Sequence, residues 1–136
     1  MAVHPDQVRR RLVPDETQLQ VILGSLLGRG RISGAAGRRW MRVEHPIEAR
    51  DFVWWKYERL SMLAREAPRE EDGRIGFRTI AHPVFDDLAP LLAGEGRVRA
   101  RALLAPLGIA VWMTDLGRLE LRPDAFLPQR VLRRCA

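Results

Sequence analysis

Arginine is the chemistry this chain holds in quantity. Of its 23 basic residues all but Lys56 are arginine, against 17 acids, for a formal charge of +6 and a pI near 11.0. Guanidinium forks match phosphate oxygens, so a basic, arginine-rich chain points to a polyanionic partner. GC-rich codons offer a second explanation of the arginine-to-lysine ratio, but they do not explain the net positive charge. Other reactive residues are sparse or badly spaced. His4, His45 and His82 each precede a proline, no two have ligand spacing, and with Cys135 they do not compose a metal site. A single cysteine excludes an internal disulfide framework and a multi-cysteine zinc site. Asp86 and Asp87 are adjacent, and adjacent helix positions do not share a face, so they read as surface. There is no Ser-His-Asp order, glycine-rich phosphate loop or pair of helical carboxylates.

The elements that must position these residues follow from periodicity. With 136 residues, 46% of them hydrophobic, the chain suits one domain with one core. No apolar run reaches the ~18–20 residues of a membrane span. The polar, basic stretch Met1–Arg11 predicts no secretory signal, so the expected location is cytoplasmic, nucleoid-associated in a bacterium. Residues 1–14 read as a loose basic lead-in. Asp15 and Gln18 are spaced as a capping box, and Leu19, Ile22, Leu23, Leu26 and Leu27 place one apolar face on the helix that follows. Gly24 and Gly28 on that helix invite close approach of another backbone, and Gly28-Arg29-Gly30 ends it.

Strands are expected at Arg31–Ser33 and Arg39–His45, joined by a glycine-flanked turn, and at Arg74–Ile80. His45-Pro46 is expected to break the second strand. Helices are expected over 48–65, 83–92 and 103–114, with a charged loop over 66–73. Phe52, Trp55, Leu60 and Leu63 are buried candidates, and Trp54, Trp55 and Trp112 read as core. Arg97, Arg99 and Arg101 form a basic stretch whose strand character is open, as is the choice between phosphate contact and a solvated edge. A short strand at 119–121 and a final helix over 127–134 complete the order. One faint repeat stands out: an apolar helix ending in a glycine turn, at Gly30 and again at Gly117.

The two copies of that repeat carry a resemblance. Ile22-Leu23-Gly24-Ser25-Leu26-Leu27-Gly28-Arg29-Gly30 resembles the first signature helix of LAGLIDADG homing endonucleases. Ile109-Ala110-Val111-Trp112-Met113-Thr114-Asp115-Leu116-Gly117 resembles the second. His45-Pro46 ahead of a helix carrying Trp55-Lys56, the run Phe77 to Pro83, Gly96-Arg97-Val98 and Leu104 to Leu107 are similar to the stretches between them. The resemblance spans roughly residues 18–126, and the order and spacing of its motifs make it specific.

The resemblance implies an α+β fold, a LAGLIDADG half-domain whose curved antiparallel sheet packs on helices, over 15–126, with the signatures at 22–30 and 109–117 and a tail at 127–136. The two signature helices should pack through Gly24, Gly28, Gly108 and Ala110. One open sheet face should meet double-stranded DNA through Arg31, Ser33, Trp40, Arg42, Arg74 and Arg78, with Arg29 beside it at the end of the first signature.

The family places one metal-binding acid at the penultimate position of each signature. Those positions hold Arg29 and Leu116 here, neither of which ligates Mg²⁺. Asp115 lies one residue earlier, turned by ~100° on the helix. Only 19 residues follow Gly117, so the chain reads as one half plus the second signature helix, with a half-sized saddle that a homodimer would complete. The expected function is DNA binding on an endonuclease fold that has lost cleavage, with no cofactor, no membrane and no small-molecule partner. The alternatives are an active, Mg²⁺-dependent dimeric endonuclease built around Asp115, and an interaction protein that keeps the fold without binding DNA.

Overall fold

A computed structural model describes residues 4–117. Within them lie six helices: α1 (Pro5–Arg9), α2 (Glu16–Leu27), α3 (Arg50–Leu60), α4 (Pro83–Leu88), α5 (Glu95–Ala102) and α6 (Pro106–Asp115). Four strands, β1 (Arg31–Ser33), β2 (Trp40–Pro46), β3 (Arg69–Glu71) and β4 (Arg74–Arg78), form an antiparallel sheet in the order β1-β2-β4-β3. The fold is α+β.

The sheet alternates cleanly. Met41, Val43, Ile75 and Phe77 point inward and join Phe52, Val53 and Leu60 of α3 and Val21, Ile22 and Leu26 of α2 in one core. The Asp15–Gln18 capping box starts α2 with both of its reciprocal bonds. Beyond it, every residue from Gln20 to Leu27 is buried. The helix is enclosed on all sides by α3, α5 and α6, so the single apolar face expected of it becomes a whole buried circumference.

Several boundaries differ from expectation, each for a local reason. Residues 69–71, expected in a loop, form an edge strand, because Asp72 and Gly73 both adopt positive φ (51° and 75°) and close a tight hairpin to β4. Strand β2 runs through Pro46, which ends the ladder opposite Arg74. The helix expected over 48–65 opens as a 3-10 turn at Ile47–Ala49 and closes at Leu60; beyond it the chain is drawn back to the sheet, where Arg65 N–H bonds the Arg78 carbonyl and Ala64 bridges Thr79. Helix α4 gives way at Ala89–Leu92 to a 3-10 turn containing Pro90, whose missing N–H cannot continue an α-helix. Residues 97–101 are helical, not strand, and Pro106 sets the start of α6.

Part of the expected lead-in is folded: α1 docks through Arg9, whose Nε donates to the Met62 carbonyl at 2.8 Å and whose Nη2 donates to Ala64. His4 and His82 are helix N-caps, each accepting a backbone N–H two residues on, with proline at the first helical position. Trp54, expected in the core, is 41% exposed and meets Tyr57 edge-on. Asp86 has a structural task, accepting the Gly37 N–H at 2.7 Å and so tying the β1–β2 turn to α4. The elements expected at 119–121 and 127–134 lie outside the described residues.

Candidate nucleic-acid interface

The two glycine-ended helices, α2 and α6, lie against each other. A Cβ added at Gly24 would sit 2.5 Å from the Gly108 carbonyl oxygen and 2.8 Å from Val111 Cβ, and one added at Gly28 would collide with the Asp115 side chain. Ala110 is buried, but Val111 is the residue that meets Gly24. Gln20 ties α2 to the entry of α6: its Oε1 accepts the Ala105 N–H at 2.7 Å and its Nε2 donates to the Leu103 carbonyl at 3.2 Å. This buried amide supplies a partner for the free N-terminal end of α6.

At the other end of the pair, the turn after each signature brings three residues together. Arg29 is exposed, Leu116 is 47% exposed, and Asp115 turns inward with its side chain fully buried. One Asp115 carboxylate oxygen lies 2.7 Å from Lys56 Nζ and 3.5 Å from His45 Nε2; the other accepts the Arg29 backbone N–H at 2.8 Å. Lys56 is itself fully buried, lying 4.7 Å from the centre of the Phe52 ring. Burial pulls the Lys56 ammonium below its usual range, and the Asp115 carboxylate holds it up in opposition. Burial first, then the charges of Lys56, Arg29 and Arg74, press His45 down to about 3, so His45 is neutral at physiological pH.

This arrangement does not suit a divalent ion. Leu116 offers no ligand atom, Arg29 is a cation, and both oxygens of Asp115 are engaged by protein donors, the Arg29 N–H and the Lys56 ammonium. Among the described residues no group of three or more His, Cys, Asp or Glu side chains is placed to hold a metal.

The open sheet face carries the candidate DNA residues. Arg31, Arg42 and Arg78 are direct cross-strand partners, a row of three guanidinium-bearing positions across β1, β2 and β4. Ser33 pairs with Trp40 in the next row, and the Arg78 guanidinium stacks 4.5 Å above the Trp40 ring. Farther along, Glu44 bonds Arg74 and Arg42, which hold its carboxyl below the usual range. Arg69 and Glu71 of β3 extend the same face, and reading residues 69–71 as a loop missed them.

Described residues form two depressions on this face. One, about 330 Å³, is lined by four arginines and by Glu44, Glu66, Glu71 and Asp72, so its charges balance. The other, about 300 Å³, is lined by Arg29, Arg31, Arg42, Arg74 and Glu44. It joins the helix-pair end to the sheet and brings together four of the seven expected DNA contacts. Trp40, Arg78 and Ser33 share the face without lining this cleft. The basic stretch of α5 is elsewhere: Arg97 bonds the Leu27 carbonyl at the end of α2, and Arg101 lies 5.7 Å from the Trp112 ring.

The main site residues that sequence reading missed are Lys56, His45 and Gln20. Lys56 left a signal. In a chain otherwise purged of lysine, the one that remains is fully buried with its ammonium 2.7 Å from a carboxylate.

Comparison with known proteins agrees with the two-helix geometry. Residues 19–129 match the family described as the LAGLIDADG DNA endonuclease family. Curated relatives include a protein RecA of Mycolicibacterium chitae, 29% identical over 118 residues, and one of Mycolicibacterium fallax, 32% identical over 124. These alignments cover 79% and 83% of this chain, and the chain spans about a quarter of the relatives' length, 27% and 28%. Among solved structures, the homing endonuclease I-WcaI bound to its DNA recognition sequence superposes with a TM-score of 0.65 at 13% identity, over 85% of this chain and 60% of the other. The paired glycine-ended helices, the four-stranded antiparallel sheet and the match over residues 19–129 lead to one assignment: the chain belongs to the LAGLIDADG DNA endonuclease family.

Proposed function

We propose that this chain binds duplex DNA across its open sheet face and does not cut it. The observation that carries the binding is the cross-strand row Arg31–Arg42–Arg78. Like charges placed directly opposite on a sheet destabilise it; Glu44 pairs with Arg42 and the Trp40 ring carries Arg78, and a bound anion offsets the repulsion that remains. The phosphate backbone of DNA supplies regularly spaced anions, and arginine on such a face also reads guanine edges in the major groove. The similarity to I-WcaI, whose structure holds DNA, supports the same partner here. Nothing in the two RecA relatives transfers a whole-protein activity, because the chain spans so little of them.

The absence of cutting rests on Arg29, Leu116 and the sequestered Asp115. Metal-assisted cleavage needs oxygen ligands that hold ions against the scissile phosphate, and this helix junction presents a guanidinium and an alkyl group instead. No other cofactor is called for.

The test is duplex binding by fluorescence anisotropy across a salt series, alongside a randomised plasmid library incubated with Mg²⁺ or Mn²⁺ and read by sequencing of ends. Affinity should fall with salt by about 0.9 log units per log unit for each phosphate neutralised, and no reproducible ends should accumulate. Salt-insensitive or absent binding contradicts the first half. Metal-dependent cuts of fixed stagger contradict the second and make the dimeric enzyme correct.

A further inference from the structure

Resting on the DNA-binding reading, we infer that the cleft between Arg29, Arg31, Arg42 and Arg74 is a metal-independent subsite for one backbone phosphodiester. It stands where the ends of α2 and α6 meet the sheet.

The cleft is built for an anion. Glu44 is its sole acid, and both Arg74 and Arg42 already bond it. Arg29 and Arg31 have no carboxylate within ion-pair distance of their guanidinium groups among the described residues. Their positive charge is therefore left uncompensated by the protein.

Arg29 is also aimed and held. Its backbone N–H donates to Asp115 Oδ2 at 2.8 Å, and its Nε donates to the Asp115 backbone carbonyl at 3.2 Å. Those two bonds fix the base of the side chain. They leave both terminal guanidinium nitrogens without a hydrogen bond among the described residues. Arg31 is anchored differently, through one terminal nitrogen: its Nη1 donates to the Gly30 carbonyl at 3.2 Å and to the Gly28 carbonyl at 3.4 Å, so the free end fork is that of Arg29. A pre-positioned fork with free parallel N–H groups is the geometry that binds two oxygens of one phosphate.

The buried pair beneath completes the device. Lys56 neutralises Asp115, so Asp115 presents its oxygens to protein donors and carries no spare charge to attract a cation into the cleft. Arg29 depends on Asp115 for both of its anchors, which makes Asp115 a positioning residue for a phosphate group. The other depression, with four arginines against four acids, has no comparable excess.

Three arms test this with the full chain. In the first, duplex affinity is measured in chelator and in Mg²⁺ or Ca²⁺ at matched ionic strength; the divalent ions should not tighten it. In the second, Arg29→Gln, which keeps the backbone anchor, should weaken duplex binding about tenfold. It should also reduce the salt slope by about 0.9, while Arg29→Lys recovers the slope but not the full affinity. In the third, inorganic phosphate should shift the Arg29 side-chain Nε–Hε resonance of labelled wild type and leave that of Arg50 in place. Tighter binding on adding divalent ions overturns the metal-independent site. Wild type and Arg29→Gln binding duplex alike overturns the phosphate contact while leaving the DNA reading intact. No duplex binding by wild type at any salt overturns that reading and the nucleic-acid source of the phosphate together. The phosphate titration then shows whether the cleft takes free anion alone.

Discussion

Lys56 and Asp115 form a buried pair in which neither partner is tolerable without the other. Removing one charge leaves its partner uncompensated in the interior, at a cost of about 3–5 kcal/mol, whereas replacing both with apolar groups of similar volume is often neutral. Lys56→Met alone should therefore lower the urea midpoint sharply, and adding Asp115→Leu should restore most of it; equal loss in the single and double variants would contradict the pairing. Lys56→Arg should destabilise despite keeping the charge, because a guanidinium exceeds the fully enclosed slot. His45 gives the cluster a pH dependence of definite sign. Its folded value of about 3 lies below its ordinary 6.5, so the unfolded chain takes up a proton first as pH falls. The stability this histidine supports is present above pH ~6.5 and drains away between there and about 3, at roughly 1.4 kcal/mol per pH unit. His45→Phe should flatten the urea midpoint over that window, and an unchanged pH profile would remove His45 from the account.

The pairing of α2 with α6 depends on the absence of side chains at Gly24 and Gly28. Alanine is the better helix former by about 1 kcal/mol, so at an open site Gly24→Ala would stabilise. Here the added methyl meets the Gly108 carbonyl and Val111, and overpacking of this kind costs about 1–3 kcal/mol. Denaturant titration should show a lower midpoint for Gly24→Ala; a higher one would mean the helices do not touch there. These helices were readable because their information is local: the Asp15–Gln18 box, the glycine spacing and the terminal glycine turns all lie within one segment. The sheet face was equally readable from two-residue alternation, which placed Arg42, Arg74 and Arg78 opposite Val43, Ile75 and Phe77. Strand β3 was not, because Arg69-Glu70-Glu71 is exposed throughout and shows no alternation; only Asp72-Gly73 hinted at the hairpin. The buried Lys56–Asp115–His45 cluster was hidden for a different reason. Its members lie 59 and 11 residues apart, and no local pattern says that a charged residue on a helix will turn inward to meet one made much later.

Across the whole molecule the charge of +6 is unevenly spent, with three arginines aligned across the sheet and others gathered at the helix junction. Such a surface repels itself most at low ionic strength, where the Debye length is long. Thermal stability should accordingly rise with salt. Phosphate should raise it beyond chloride at equal ionic strength, because an anion that binds the native state adds stability by mass action, about 2.7 kcal/mol at a hundredfold excess over its Kd. Identical melting curves in the two salts would argue against an ordered anion site. The separation of Lys56 from Asp115 also carries a timing in the cell. At about 5–20 residues per second, a ribosome completes Asp115 some ~3–12 s after Lys56. Until then α3 carries an ammonium with no counter-charge to follow it inside, and water keeps it. A chain stalled before α6 should therefore leave the amides of α2 and the sheet open to hydrogen exchange, and a chain extended past Gly117 should protect them.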